Sequence, residues 1–227
     1  QKTDNLIVDT LFNKNVTCEN IRNLKKNLLA STEADKVIVA YSGHGLLNRN
    51  FDYYLSTYKV NFDEPDQNGL PYSDLENILD SIRARRKILF VDACHSGEVD
   101  KEDISKLESV QQKLDSTKKG AILIVTSAKK IGMKNSFELM RELFRSFGQN
   151  TGTTVISAAG GTQFALERGD LKNGVFTYSI LDAMKNNQTL RVSELMKIVS
   201  KQVMELTNGL QQPTFRNETF DFDWSVW

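Results

Sequence analysis

The chain has 227 residues, 40% of them hydrophobic, and its 29 basic and 29 acidic residues give a formal net charge of zero. This length fits a single α/β domain over residues 1–227 with a sizeable core. The balanced charge indicates neither a nucleic-acid partner nor a membrane-surface partner, and no apolar run is long enough to span a bilayer. The two cysteines, Cys18 and Cys94, form no disulfide framework, so we expect a reducing, cytoplasmic location.

Strands and helices alternate along the chain, which predicts a mostly parallel sheet covered on both faces. The predicted strands are apolar runs at Asn5–Phe12, Lys36–Tyr41, Lys87–Val91 and Thr153–Ser157, with a small hairpin or strand at Tyr53–Val60. The predicted helices are Thr17–Ala30, Ser73–Ile82, Ile104–Leu114, Ser136–Phe147, Val175–Lys185 and Arg191–Leu206. Thr17 is expected to cap the first helix, and Ser73 with Glu76 matches a capping box at the second. Ala121–Thr126 is ambiguous.

Two glycine-punctuated motifs follow two of the predicted strands. Ser42-Gly43-His44-Gly45 comes directly after one strand, in a predicted loop, and Asp92-Ala93-Cys94-His95-Ser96-Gly97 comes after the next. Functional residues of parallel sheets lie at the carboxyl ends of the strands. We therefore expect the two motifs to face each other at one edge of the sheet.

The chemistry that these motifs offer is that of an activated thiol. A thiol needs a base or a cationic neighbour to become a useful thiolate, and imidazole suits that task. A lone cysteine is most often a buried apolar residue, and a lone histidine is most often structural. However, both histidines of the chain lie in the two motifs, and His44 precedes Cys94 by 50 residues, the order and spacing of caspases. The glycines allow close approach of a substrate backbone, and the N–H groups of Gly45 and Cys94 are candidate oxyanion donors.

Tyr41–Gly45 and Asp92–Gly97 resemble the His and Cys boxes of the caspase and metacaspase family. The stretches that resemble its small-subunit region are Val155–Gly161, Ala165–Glu167 and Gly174–Tyr178, and those that resemble bacterial caspase-like domains are Gln211–Thr214 and Trp227. The resemblance implies a caspase-like three-layer α/β sandwich with a mostly parallel central sheet and helices on both faces. It also implies a cysteine endopeptidase that acts through a thioester acyl-enzyme, with a peptide or protein as its partner.

The resemblance makes Cys94 the nucleophile and His44 the general base and acid, and it leaves His95 structural. Asp92, two residues before the nucleophile, resembles the metacaspase residue that selects basic side chains, so cleavage after Arg or Lys is expected. Ser42 and Ser157 are further candidate substrate-binding residues. The alternative for Asp92 is that it caps or hydrogen-bonds the loop.

Residues 99–153 form a long charged segment between the Cys box and the next strand. By the resemblance this segment is an activation linker, and Lys118-Lys119 and Lys129-Lys130 are possible sites of self-processing. The alternative is a solvated, charged helical insertion.

The family's opening strand has no counterpart in the sequence, so we expect an N-terminal segment of the same polypeptide to complete the sheet. No cofactor is expected and no metal ligand is assigned. An acidic loop offers hard oxygen ligands of the kind that suit Ca²⁺, and a plain solvated loop is the alternative; the residues are Asp63, Glu64, Asp66 and Asp74. One competing functional hypothesis is a catalytically silent caspase-like scaffold or binding module. The other is another thiol hydrolase or acyltransferase on an α/β sheet. The sequence does not specify an oligomeric state.

Overall fold

The structure is a computed structural model that describes residues 6–50, 52–95, 123–124, 153–158, 165–217 and 223–227, and of residues 94, 95, 123 and 124 it describes the backbone. The strands are β1 (Lys36–Leu47), β2 (Tyr53–Leu55), β3 (Leu70–Pro71), β4 (Arg86–His95), β5 (Leu123–Ile124), β6 (Thr153–Ser157), β7 (Glu167–Arg168), β8 (Asn173–Gly174) and β9 (Thr214–Asn217). The helices are a 3₁₀ turn at Asn13–Asn15 followed by α1 (Cys18–Leu28), α2 (Tyr72–Asp80), α3 (Val175–Asn186) and α4 (Val192–Leu206).

A six-stranded mixed sheet in the order β3-β2-β1-β4-β6-β9 forms the centre of the described structure. β1, β4 and β6 are parallel, whereas β2, β3 and β9 each pair antiparallel with their neighbour. The β1–β4 ladder is the longest and runs in continuous register from Lys36↔Arg86 to Gly45↔His95. β5, β7 and β8 form a separate antiparallel sheet of three strands.

The alternation of side chains along β4 supplies two cores, one on each face of the sheet. Ile88 and Phe90 belong to a cluster with the apolar faces of α3 and α4. Leu89 and Val91 point the other way and join a cluster with α2, against which α1 packs in part. This arrangement confirms the predicted α/β architecture with helices on both faces of the sheet.

β1 and β4 continue through the two motifs, so the prediction that Ser42–Gly45 forms a loop is wrong. β1 runs on to Leu47 because its end pairs with β4 on one side and with β2 on the other, in the register Gly45↔Leu55. Glycine weakens a strand through its entropy, but these ladder bonds satisfy the backbone on both sides. The histidine of the motif therefore lies within a strand.

The predicted strand Asn5–Phe12 is not observed over the described residues 6–12, which have no regular secondary structure. Leu6, Ile7 and Val8 are exposed there, and no described strand pairs with them. After this segment the prediction holds: the Thr17 hydroxyl accepts the Asn20 N–H at 3.1 Å and caps α1.

The later elements match the predictions in part. Strand β6 and helices α3 and α4 are confirmed almost to the residue, and the ambiguous stretch at 121–126 contains the short strand β5. The predicted strand at 53–60 is confined to β2. The prediction of a capping box at Ser73 is wrong, because α2 begins one residue earlier, at Tyr72. Its N-cap residue is Pro71, which provides no side-chain cap. The predicted helices Ile104–Leu114 and Ser136–Phe147, and most of the 99–153 linker, lie outside the described residues.

A buried glutamine joins the segments that follow β6 and precede β7. The side chain of Gln211 accepts the Leu166 N–H at 2.9 Å and donates to the Ala158 carbonyl at 2.8 Å. The Ala158 N–H in turn donates to the Val91 carbonyl at 2.8 Å, which fixes this region to β4. Within the described ranges, no helix combines the length and apolar character needed to cross a membrane.

Candidate active site

The register of β1 and β4 brings the two motifs together. His44 and Cys94 are Cα partners in the parallel ladder, as are Ser42 and Asp92 two residues earlier. Neighbouring strands lie about 4.8 Å apart, so the backbones of the two motifs are adjacent along their whole length. The expected meeting of the motifs is therefore achieved by strand pairing and does not depend on the conformation of two loops.

The backbone of His44 is fixed on its other side by Ser56, which follows β2. The His44 N–H donates to the Ser56 hydroxyl at 3.0 Å, and the Ser56 N–H donates to the His44 carbonyl at 2.8 Å. The half-buried imidazole packs edge-on against the ring of Phe62, with 5.3 Å between the ring centroids and 70° between the planes. Backbone and ring are thus each restrained by a different neighbour.

The Tyr41 side chain supports the same contact between β1 and the residue that follows β2. Its hydroxyl lies 2.9 Å from the Ser56 hydroxyl, 3.0 Å from the Ser56 carbonyl and 3.1 Å from the His44 carbonyl. Burial raises the pKa of Tyr41 to about 12. The phenol therefore stays neutral, and able to donate, at any pH at which the protein would operate.

The two glycines that flank His44 have a packing role that the sequence did not reveal. A Cβ atom at Gly43 would overlap the hydroxyl of Tyr41, and one at Gly45 would overlap the hydroxyl of Tyr53. The space that a side chain would need is already occupied by the two tyrosines. These glycines are therefore explained by close packing within the protein, in addition to the substrate access proposed from the sequence.

Asp92 lies in β4, its side chain contacts the start of α3, and the residue is only 9% exposed. Its Oδ2 atom accepts the Thr177 N–H at 3.2 Å and, in a short hydrogen bond, the Thr177 hydroxyl. A Cβ at Gly174 would lie 2.6 Å from the same oxygen, so glycine is needed for this approach. Burial raises the pKa of Asp92, with a smaller contribution from the charge of Glu167. Asp92 thus hydrogen-bonds the first turn of α3. Among the described residues no Lys or Arg forms an ion pair with it.

The two serine candidates differ in position. Ser42 is exposed and is the register partner of Asp92, so the two share one face of the sheet. Ser157 is the register partner of Val91, one position along β4, and therefore lies on the opposite face. It is buried at 2% exposure. The structure brings Ser42 to Asp92 and does not bring Ser157 to their face.

Cys18 lies on α1, where its environment favours the protonated thiol. Its sulfur donates to the carbonyls of Gly69 and Asn68 at 3.3 and 3.5 Å. Burial raises its pKa, and the lowering effect of nearby Arg22 is smaller. Low thiolate content makes a cysteine unreactive, so Cys18 serves as an internal reference for any reactive thiol of the chain.

The acidic loop considered for Ca²⁺ uses its carboxylates in local contacts. Asp66 accepts hydrogen bonds from Tyr54 at 2.6 Å and from Asn48 at 2.9 Å, and Asp74 pairs with Arg22 at 2.6 Å. Across the part of the chain that the structure describes, no group of three or more His, Cys, Asp or Glu side chains converges. The described residues therefore give the calcium possibility no support.

Sequence reasoning missed the residues that surround the candidate dyad. Tyr41 opens the stretch that resembles the His box and Thr177 lies in one that resembles the small-subunit region, so both had a sequence signal. Ser56 and Phe62 had none, because their role depends on how β2 and the following loop fold back onto β1.

Comparison with known proteins gives the family of this fold. The sequence model of the caspase domain family matches residues 5–223. A crystal structure of a Geobacter sulfurreducens structural-genomics protein is similar, with 19% sequence identity over 94% of this chain and 78% of that chain and a TM-score of 0.58. At that identity the likeness shows the shared fold alone. No curated protein sequence matches the chain. The family match spans both motifs and the whole central sheet. We conclude that the chain belongs to the caspase family, which is a family of the cysteine-peptidase type.

Proposed function

We propose that the protein is an active cysteine endopeptidase that uses Cys94 as nucleophile and His44 as general base and acid, and that it cleaves after Arg or Lys. The observation that carries the proposal is the β1–β4 register, in which the two residues are Cα partners at the carboxyl end of parallel strands. Membership of a cysteine peptidase family supplies the reaction class.

In the proposed reaction His44 takes the proton of the Cys94 thiol as sulfur attacks the carbonyl carbon of the scissile bond. The donors proposed for the resulting oxyanion are the N–H groups of Gly45 and Cys94. Both residues lie in the β1–β4 register, so either N–H must be released from the ladder to serve in this role. The C–N bond then breaks while the imidazolium protonates the leaving amine, which leaves a thioester. Water, deprotonated by His44, hydrolyses the thioester and regenerates the thiol.

The preference for basic residues rests on Asp92. A buried carboxylate is costly without compensating charge, and its only described donors are the two groups of Thr177. A substrate Arg or Lys would supply that charge, with exposed Ser42 beside it on the same face. Such a cation also favours the ionised carboxylate, which offsets the burial that raises the pKa of Asp92.

The dyad is tested with fluorogenic peptides that carry Arg, Lys or Asp before the cleaved bond. Cys94→Ala and His44→Ala should each reduce kcat/KM by several orders of magnitude, and the double variant should be little worse, because the two residues act as a unit. His95→Ala and Cys18→Ala are matched controls that should retain activity. Absence of turnover in the wild type on every peptide would favour the catalytically silent scaffold.

The specificity proposal is tested by Asp92→Asn, which keeps the shape of the side chain and an oxygen acceptor for Thr177. Loss of one member of a buried charge pair costs about 3–5 kcal/mol, so kcat/KM on Arg peptides should fall by about 10²- to 5 × 10³-fold. Alkylation of Cys94 by a small reagent should persist. Asp182→Asn, a carboxylate of α3 that accepts from Gln202 at 3.0 Å, is the control. Efficient cleavage after Asp and none after Arg would contradict the proposal.

Self-processing within residues 99–153 is the remaining part of the proposal. Intact-mass measurements on wild type and Cys94→Ala after long incubation test it, since only the active protein should be cut after Lys or Arg. Identical masses for the two proteins would exclude self-processing while leaving the peptidase assignment untouched.

A further inference from the structure

We infer that Tyr41 and Ser56 are positioning residues that hold the backbone of His44 and thereby set the reach of its imidazole toward Cys94. The inference rests on the proposed peptidase function and extends it to two residues that do not touch the substrate. It comes from a closed set of hydrogen bonds around the backbone N–H and C=O of one residue of β1, His44.

The hydrogen bonds around His44 can be assigned without conflict. The His44 N–H donates to the Ser56 Oγ, and the Ser56 N–H donates to the His44 carbonyl. The Ser56 hydroxyl is then free to donate to the Tyr41 oxygen, and the Tyr41 hydroxyl donates to a carbonyl of His44 or Ser56. Every donor in this set has an acceptor, so the three residues form one satisfied network.

The network restrains the side of His44 that faces away from β4, where the regular ladder has not yet begun. The regular β1–β2 ladder begins only at Gly45↔Leu55, one residue after His44. Ser56 follows β2 and extends that ladder by one pair, because its N–H donates to the His44 carbonyl. The His44 N–H, which the β1–β2 ladder does not use, donates to the Ser56 hydroxyl. A partly buried polar network of this kind loses more when one member is removed than a single exposed hydrogen bond would.

The Tyr41 hydroxyl packs directly against the backbone of Gly43, in the position that a side chain at residue 43 would occupy. The space for a Cβ at residue 43 is filled by that hydroxyl, so a larger residue there would displace it. Gly43→Ala and Tyr41→Phe should therefore damage the same feature by two routes. A small misplacement of a catalytic group lowers the rate of the chemical step more than it weakens substrate binding.

The test compares Tyr41→Phe with Tyr54→Phe, which removes the hydroxyl of a neighbouring β2 tyrosine that donates to Asp66. Tyr41→Phe should lower kcat on Arg peptides about tenfold with KM unchanged. It should also shift the alkylation of Cys94 to higher pH, since a displaced imidazolium stabilises the thiolate less. Tyr54→Phe should alter neither quantity. Ser56→Ala should behave as Tyr41→Phe does, and Gly43→Ala combined with Tyr41→Phe should be no worse than the poorer single variant.

The outcomes separate this inference from the function on which it rests. A wild type that lacks turnover and shows no enhanced reactivity of Cys94 over Cys18 would overturn the proposed function. An active wild type with Tyr41→Phe and Tyr54→Phe indistinguishable in kcat and in alkylation profile would overturn the positioning role alone. A lower kcat with an unshifted alkylation profile would assign Tyr41 to general stability and also overturn it.

Discussion

Ile38 and Ile88 are the same residue type, are register partners on adjacent parallel strands and point to the same face of the sheet, yet their surroundings differ. Ile88 is fully buried under α3 and α4, whereas Ile38 is 44% exposed. β4 has β1 and β6 on its two sides, while β1 before His44 has β4 on one side and no described strand on the other. The position of a strand in the sheet, and not the apolar character of its residues, decides how much it buries.

Amide hydrogen exchange should reveal the largest difference between the two strands. In β4 the backbone groups face ladders on both sides, so its central amides should exchange only through global unfolding. In β1 alternate amides over 37–42 face the open edge and should exchange orders of magnitude faster. Equal protection of both strands in the 227-residue chain would show that the edge is covered.

The same measurement tests the expectation that an N-terminal segment of the polypeptide completes the sheet. A longer chain that carries such a segment should slow the exchange of alternate β1 amides without altering β4. Exchange that stays fast in the longer chain would remove that expectation.

Truncation of the two isoleucines should show the difference between β1 and β4 as a difference in the free energy of unfolding. Ile88→Ala should lower the free energy of unfolding by about 2–5 kcal/mol, because it leaves a cavity in a packed core. Ile38→Ala should cost only about 1 kcal/mol, since nearly half of its side chain is already in water. Urea unfolding measures both, and equal losses would mean that Ile38 is covered in solution.

The pH dependence of stability should have opposite signs for Asp92 and Asp66. These effects should be smaller than those on hydrogen exchange and those of the isoleucine truncations. Burial raises the pKa of Asp92, so its stabilising contribution is complete below the ordinary Asp pKa of about 3.9 and is lost as pH rises through the folded value. Asp92→Asn should therefore gain stability relative to wild type as pH increases above about 4.

Asp66, on the β2 side of the sheet, provides the opposite case. Hydrogen bonds from Tyr54 and Asn48 lower its pKa, so its contribution is present above the ordinary value and is lost as pH falls. Asp66→Asn should lose stability relative to wild type as pH rises from about 3 to 5. Parallel urea titrations at several pH values check both variants, and shifts of the same sign would contradict the assigned environments.

Apolar runs predicted the parallel strands and α3 and α4 well, because a strand buried on both faces and an amphipathic helix each leave a periodic signal. The pairing of the His and Cys motifs was also predictable, since both follow such strands. The continuation of β1 through Gly43 and Gly45 was not, because the tyrosine hydroxyls that fill the space beside them come from the three-dimensional packing. The failure of residues 6–12 to form a strand has the same origin, since a strand needs a neighbouring strand to pair with, and the local sequence does not show whether one is present.

The β1–β4 ladder also determines how this domain can change in length. The alignment of His44 with Cys94 is set by strand register, so loops between the elements that connect β1 to β4 can lengthen or shorten without altering it. A single insertion or deletion inside either strand would instead shift the alignment by about 3.3 Å and turn one residue to the other face. Variation in natural or designed relatives should therefore accumulate in the connecting loops, while the spacing from Lys36 to His44 and from Arg86 to Cys94 stays constant.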